Sequence, residues 1–442
     1  MSKKSRDYLF WFFIVIFIVS TALISLYASG YKFNLSWPPR LNRLLIKTGM
    51  LIVKTQPAGA TIYLNDQAQT SFSLFSWQKS TLTSPAKIKN VLPGDYDLRL
   101  AHDGYWPWQK QITIASGQTT FLEDINLFRS DLPIIVATST AGDLELSPSR
   151  RYLYAAGAPK IIDLKNGQIW ALPLPLNTAG RWLNSDRLLA NGQLFDPTNG
   201  TTINYQQLLG AGAKNWYDDE PSNRLYYQNK NSLNYWDINK NANNVIVSGK
   251  NYPTYEPRGD NFFLVAVDTQ AVTLQVYSLK TQKIEQSLNL PTVGSYRLVP
   301  DNNQFLTLYD EQNRTLYLLN PTDITNDPKT IKNVSDWQWP DDNTLIYNNS
   351  WEIYQLDLKS NSAALLTRVG TEIKKIIWNK SAAYLLFTTD QSLNAFDVKT
   401  GMTTTIFQAD QISSPALDEK NAILYFGAQV GRQAGIYKML LQ

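Results

Sequence analysis

An all-β protein carried behind one apolar helix is the fold class this sequence predicts, and three observations predict it. Residues 8 to 29, YLFWFFIVIFIVSTALISLYAS, run for 22 positions without a charge. Residues 50 to 128 consist of short alternating apolar runs broken by Pro-Gly, Asp-Gly and Ser-Gly turns. From residue 130 onward one strand-turn-strand grammar recurs about every forty residues, the period of a four-stranded β-propeller blade. The chain therefore divides into a tail and transmembrane anchor (1–30), a basic juxtamembrane linker (31–49), a small β-sandwich (50–128) and a β-propeller (129–442).

Composition narrows the chemistry. Aromatic residues make up 12% of the 442 positions, with 24 Tyr and 13 Trp, which favours strands over helices. There is no Cys, and His102 is the single His, so thiolate catalysis, Cys/His zinc sites and disulfides are excluded. No cofactor and no metal are expected. The net charge of +4 is small for this length, and no Lys/Arg run is interleaved with aromatics along a strand, so no nucleic-acid partner is expected.

The uncharged run, as a helix, rises roughly 33 Å and matches the thickness of a hydrocarbon core. Tyr8, Trp11, Tyr27 and Tyr31 fall near its two ends, where interfacial aromatics belong. A cleaved signal peptide is the other reading, with Lys3, Lys4 and Arg6 as its basic end and Ala28-Ser29-Gly30 as small residues for a peptidase. The run exceeds a usual signal core, which favours an uncleaved single span. Lys32, Arg40, Arg43 and Lys47 rival the basic tail, so charge alone does not orient the helix. The packed basic tail and the long C-terminal region favour the N-terminus inside and the β domains extracytoplasmic. A large extracytoplasmic chain without Cys suits a bacterial envelope. In the linker, Pro38-Pro39 opens either a short helix with Leu41, Leu44 and Leu45 on one face or an extended segment.

The sandwich begins with MLIVKTQ and ATIYLND, separated by Pro57, Ala58, Gly59 and Ala60. Proline sets one φ and glycine permits another, so these four residues are read as a structural turn. QPAGATIYLND, TSPAKIKNVLPGDYDLRL and HDGYWPWQKQITIASGQ together resemble a PEGA domain, a small β module of envelope proteins. Ala58 stands where that motif has Glu, and SFSLFSWQKSTL, residues 71 to 82, is longer than the corresponding connection. His102 in the AHDGY turn is read as merely solvated. Trp106 and Trp108, two apart on a strand, are read as sharing a core-facing side.

Eight segments carry the repeat: LSPSRRYLYAAG, WLNSDRLLANG, YDDEPSNRLYYQN, YEPRGDNFFLVAV, VPDNNQFLTLYD, WPDDNTLIYNN, WNKSAAYLLFTTD and LDEKNAILYFGAQ. A second strand follows each and ends at Asp163, Asp196, Asp237, Ser278, Asn320, Asp357, Asp397 and Lys438, at intervals of 33, 41, 41, 42, 37, 40 and 41. The SPxxxYLYA and PDDNxLIYN forms resemble the TolB-type propeller repeat. The last repeat offers three strands, and the spare run LPIIVATST at 132 to 140 is expected to supply its fourth. That gives eight blades, or seven if the short unit 178–207 is not one. The aspartates precede polar turns, where an Asx hydrogen bond accounts for them better than a calcium ion shared between blades.

Function is harder to read. Carboxylates are the remaining catalytic option, and the richest acidic spots, Asp218-Asp219-Glu220 and Asp341-Asp342, fall in the first turn of their repeats. The opposite end of the ring, formed by middle turns and inter-blade connections, carries Tyr252, Trp351 and Arg432 as candidate partner contacts. The reading favoured is a membrane-anchored, non-catalytic binding or scaffolding protein of the envelope whose partner is a protein or a glycan. Two others stay open: a carboxylate-dependent glycan hydrolase or lyase, and a cytoplasmic-facing interaction platform.

Overall fold

A computed structural model of the chain describes residues 3–33, 45–72, 79–140, 142–210, 212–269 and 271–442. The chain forms two compact units, Met1–Asp131 with Gln442, and Leu132–Leu441. The proline-bearing linker, residues 34–44, and the centre of the insert, residues 73–78, lie outside the described residues.

The first unit opens with one helix, Lys3–Ala28, whose stretch Tyr8–Ala28 is long and apolar enough to cross a membrane. Its side chains are exposed all round, as Phe10, Trp11, Phe13 and Phe17 illustrate. A helix apolar on every side whose span is not buried is suited to lipid.

The sandwich has two sheets. Gly49–Gln56 lies between Thr119–Asn126, which runs parallel to it, and Ala86–Val91. The other sheet orders Trp108–Ile114, Gly94–Ala101, Thr61–Leu64 and Gln67–Ala68. Alternation does the sorting: in Gly49–Gln56 every second residue is buried, and Leu51 and Val53 are fully buried, as are Ile62, Leu98 and Leu100 of the other sheet. The turn at Pro57–Ala60 is thus a crossing from one sheet to the other and joins no hairpin. Gly59 adopts φ +101°, a region glycine enters freely. Gly59 N donates to the Ser84 carbonyl at 2.7 Å, and Ala60 N to Ser84 Oγ at 3.1 Å, which ties the turn to the opposite strand. Ala58 is exposed in that turn.

Two details differ from expectation, and a third adds to it. Trp108 is buried but Trp106 is 40% exposed, because the strand starts at Trp108 and the residues before it form a turn in which Trp106 N donates to the Phe128 carbonyl. His102 packs edge-on against Tyr105, ring centroids 4.8 Å apart, instead of standing free in water. The long insert is bracketed by a two-stranded ribbon, Thr70–Phe72 against Lys79–Thr81.

The second unit is a ring of eight four-stranded antiparallel sheets. Their first strands are Leu144–Leu146, Gly180–Trp182, Ala213–Asp219, Asn251–Arg258, Tyr296–Val299, Asp336–Asp341, Lys375–Asn379 and Gln411–Asp418, here blades one to eight. The first strand of blade eight lies against that of blade one, so these strands are innermost and the ring closes. The short unit 178–207 is a full blade, and Ile134–Ala137 pairs with Gln433–Leu440 as the outer strand of blade eight. The first and last strands of the second unit therefore share one sheet.

Between blades the faces pack through apolar clusters, such as Tyr226, Leu233, Phe262 and Leu264 between blades three and four. The recurring polar residues serve turns. Asp163, Asp196, Asp237, Asn320, Asp357 and Asp397 each accept a backbone N–H two or three residues on, at 2.8 to 3.0 Å. Asp163 is also fully buried and held by Arg151, Nη2 to Oδ2 2.7 Å, which keeps its carboxyl below the usual range.

Candidate functional site

Antiparallel blades place the turn between second and third strands, and the connection to the next blade, at one end of the ring. The Trp351 and Arg432 turns both lie there, and both side chains are exposed, Trp351 to 50%. Tyr252 is a correction. It is 1% exposed, packed with Tyr226 and Phe262, with its hydroxyl turned to the Ser248 carbonyl. It belongs to an inner strand, Asn251–Arg258, where strand alternation sends it into the seam between blades three and four.

The acidic spots are likewise rearranged. Asp218 sits within the strand Ala213–Asp219 and is buried, while Glu220 occupies a short 3-10 turn and joins Arg187 of blade two at 2.8 Å. Asp341 closes its own turn by accepting from Asn343 N and Thr344 N at 2.8 and 2.9 Å. Neither spot presents two free carboxylates.

At the end of the ring that bears Trp351 and Arg432, the inner strands of blades three to five open a cleft of about 400 Å³. Tyr217 and Tyr255 line it, half-buried, at matching positions of successive repeats. The Tyr255 hydroxyl donates to the Asn215 carbonyl at 2.5 Å, and the Asn215 amide bridges Gln228 and the Pro253 carbonyl, each at 2.7 Å. These bonds hold the Tyr255 ring on the strand of the neighbouring blade. Arg181, from blade two, lies over the Tyr217 ring with its guanidinium carbon 4.3 Å from the centroid. Arg297, from blade five, is paired with Glu311 at 2.9 Å. Glu256 is 3% exposed and tied to Arg258 through Oε1, while its Oε2 finds no protein partner.

Three acids near Arg181 are displaced upward. Glu145, on the inner strand of blade one, is raised to about 7 by desolvation first and by the neighbouring Asp143 charge second, with Arg181 opposing. It is exposed to water yet walled in by the channel, which is how an accessible carboxyl can still be poorly hydrated. Asp218 is raised to about 6, chiefly by burial, and Glu256 is raised for the same reason. Arginine next to acids of raised affinity for protons is the pattern that marks functional clefts.

Arg181, Tyr217, Tyr255 and Glu256 were not singled out in the sequence, although a signal existed. Aligning the repeats puts Tyr217 and Tyr255 in the same position as Trp182, and Arg181 in the same position as Glu145. Arg181 and Glu145 therefore leave neighbouring inner strands in the same direction.

Asp218 yields a pH prediction. Its folded pKa of about 6 exceeds the ordinary 3.8, so its contribution is intact below pH 3.8 and is lost as pH rises through 6. Two units correspond to about 3 kcal/mol. Asp218→Asn is therefore expected to flatten the loss of stability between pH 4 and about 6.5, seen by urea unfolding at each pH. Parallel wild-type and variant profiles would show that Asp218 is not strained in the folded ring.

No protein-family model and no curated protein sequence matches the chain. Among solved structures, the C-terminal WD40 domain of Sif2 matches with TM-score 0.51 at 13% identity, covering 70% of this chain and 99% of that one. The Dos1 propeller matches at TM-score 0.48, with 12% identity, 68% of this chain and 93% of that one. An oligogalacturonate lyase with manganese follows at 0.40, with 12% identity, 70% and 91%. At such identities the likeness speaks to fold alone: the second unit is a β-propeller.

Proposed function

We propose that this chain is a membrane-anchored, extracytoplasmic protein of the bacterial envelope that binds a partner and performs no catalysis. The helix Lys3–Ala28 is the anchor, the PEGA-like module a spacer of envelope type, and the TolB-like ring the binding unit. One observation carries the reading: of the cleft's tyrosines, Tyr255 is fixed by a hydrogen bond to the backbone of the neighbouring blade and Tyr217 is covered by Arg181, and the carboxylates are largely engaged. Glu311 belongs to Arg297, Glu256 to Arg258, and Glu220 nearby to Arg187. Rigid aromatics beside ion-paired acids suit recognition better than proton transfer.

Photo-reactive residues at Trp351 and Arg432 in living cells are expected to capture one repeatable partner, with none captured from Asp341 at the other end. Capture from Asp341 alone would reverse the choice of face. Orientation has its own test. Protease added to protoplasts is expected to reach residues 45–442 after mild denaturation without lysis. Digestion that requires lysis would favour the cytoplasmic platform.

A second reading, carboxylate-dependent glycan cleavage, draws on Glu145 and its pKa near 7, a value fit for proton transfer. New chain ends released by the purified protein, and abolished in a folded Glu145→Gln variant, would establish it.

A further inference from the structure

Of the two arginines that line the cleft, Arg297 is paired with Glu311 and Arg181 is left without an acid among the described residues. Among the described residues, no carboxylate lies within ion-pair reach of its guanidinium, whereas Arg187, Arg258, Arg297 and Arg368 each hold one. Its flat fork is exposed and steadied by the Tyr217 ring. Steadying costs the ligand less ordering when it binds. The nearest acids cannot take the ligand's place cheaply. Glu145, raised to about 7, is only partly ionised near neutral pH, and Asp218, though mostly ionised there with a value of about 6, is buried and outside ion-pair reach of Arg181 among the described residues.

The rest of the cleft asks for hydroxyls and a flat apolar face. Glu256 lines the cleft, and its buried Oε2 has no protein partner among the described residues, which leaves an acceptor that a donor from outside the chain can satisfy. Tyr255 offers a half-buried ring whose hydroxyl is already spent on Asn215, leaving the ring face and edge for contact. A sugar ring supplies both needs at once, with C–H groups for an aromatic side chain and hydroxyls for a carboxyl oxygen. An acidic peptide supplies the charge but brings few hydroxyls. The volume, about 400 Å³, is that of a small-ligand site and too small for a folded partner's surface element.

We propose that the cleft between the inner strands of blades three to five, with Arg181 at its edge, binds a carboxylate-bearing saccharide unit, the carboxylate on Arg181 and a ring hydroxyl on Glu256. This rests on reading the propeller as a non-catalytic binder, and it names the ligand class of that site.

The test uses the full-length protein in detergent micelles, titrated calorimetrically. The probes are glucuronic-acid oligosaccharides, the same oligosaccharides with their carboxyls reduced to alcohols, and a Glu-rich peptide of equal charge. The acidic oligosaccharide is expected to bind, and both carboxyl reduction and Arg181→Gln are expected to weaken it about tenfold, the weight of one charge-assisted hydrogen-bonded pair. The two losses share one interaction, so the variant is expected to lose little more on the reduced sugar. Arg181→Lys, which keeps the charge and loses the fork, is expected to fall between and guards against a folding artefact in the first variant. Equal binding of acidic and reduced sugars, undiminished binding by Arg181→Gln, or binding by the peptide alone would overturn the proposal. Release of new chain ends in the same samples would instead overturn the non-catalytic reading and leave the ligand class standing.

Discussion

A chain that begins at Gly142 is expected to unfold at a distinctly lower temperature than one that begins at Ser130. The difference lies in Ile134–Ala137, which pairs with Gln433–Leu440 as the outer strand of blade eight. Without it, the strand Gln433–Leu440 becomes an unpaired edge. The cover also goes: Ala137 is buried and Val136 half-buried against Leu144, Leu153, Tyr425 and Ile436, a cluster shared by blades eight and one. The fit is close, since a Cβ added at Gly435 would meet Ile135 Cδ1 at 2.8 Å, so Gly435 lets the closing strand approach. Burial of this size is worth about 3 kcal/mol, hence a fall of roughly 5 °C for a unit this large. Thermal unfolding followed by far-ultraviolet circular dichroism measures it. Should the shorter chain aggregate, the full chain carrying Ala137→Asp places a charge in the same seam and is expected to melt lower by a similar amount. Unchanged melting in both cases would mean that the ring does not depend on its closing strand.

Tyr252→Ala is expected to cost about 3–5 kcal/mol, as large aromatic truncations in packed cores do. The ring fills the seam between blades three and four beside Phe262 and Tyr226. The hydroxyl matters little, since its contact with the Ser248 carbonyl is long at 3.4 Å. Tyr252→Phe is therefore expected to stay within about 1 kcal/mol of wild type. The pair of variants separates packing from polarity, and urea unfolding with an unchanged slope is the readout. A near-neutral Tyr252→Ala would return the residue to the surface, where partner contact becomes plausible again.

The ring was legible because a propeller writes itself into sequence as a period. Each blade must bury the same two faces, so the apolar strand residues and the Asx turn at Asp163, Asp357 or Asp397 recur at nearly fixed spacing. Even the missing eighth outer strand could be assigned, since three strands at one end of the chain and one at the other add up to a blade. The helix was legible for a simpler reason: 22 residues without a charge match one physical length.

The site was not legible in the same way, and Tyr252 shows why. In the sequence it stands between repeats and reads as loop; in the fold the strand Asn251–Arg258 begins one residue earlier and buries it. Trp106 is the reverse case, exposed because its strand begins two residues later, at Trp108. Shifting a strand's start by one residue exchanges inside for outside, and local sequence sets such boundaries only loosely.

Periodicity, the uncharged span and the absence of cysteine are properties of the chain as a string, and from them alone follow one apolar helix, a β-sandwich, a propeller of seven or eight blades and the exclusion of thiol and Cys/His zinc chemistry; the structure settles on eight. The cleft is different in kind. Arg181, Tyr217, Tyr255 and Glu256 come from blades two, three and four and meet only because the inner strands converge on one channel. Among the described residues the Oε2 atom of Glu256 has no protein partner and Arg181 no acid, and which charges face each other there depends on how the blades are brought together. Repeat spacing sets what each strand is; the distance between strands of different blades is set by closure, and no single repeat encodes it.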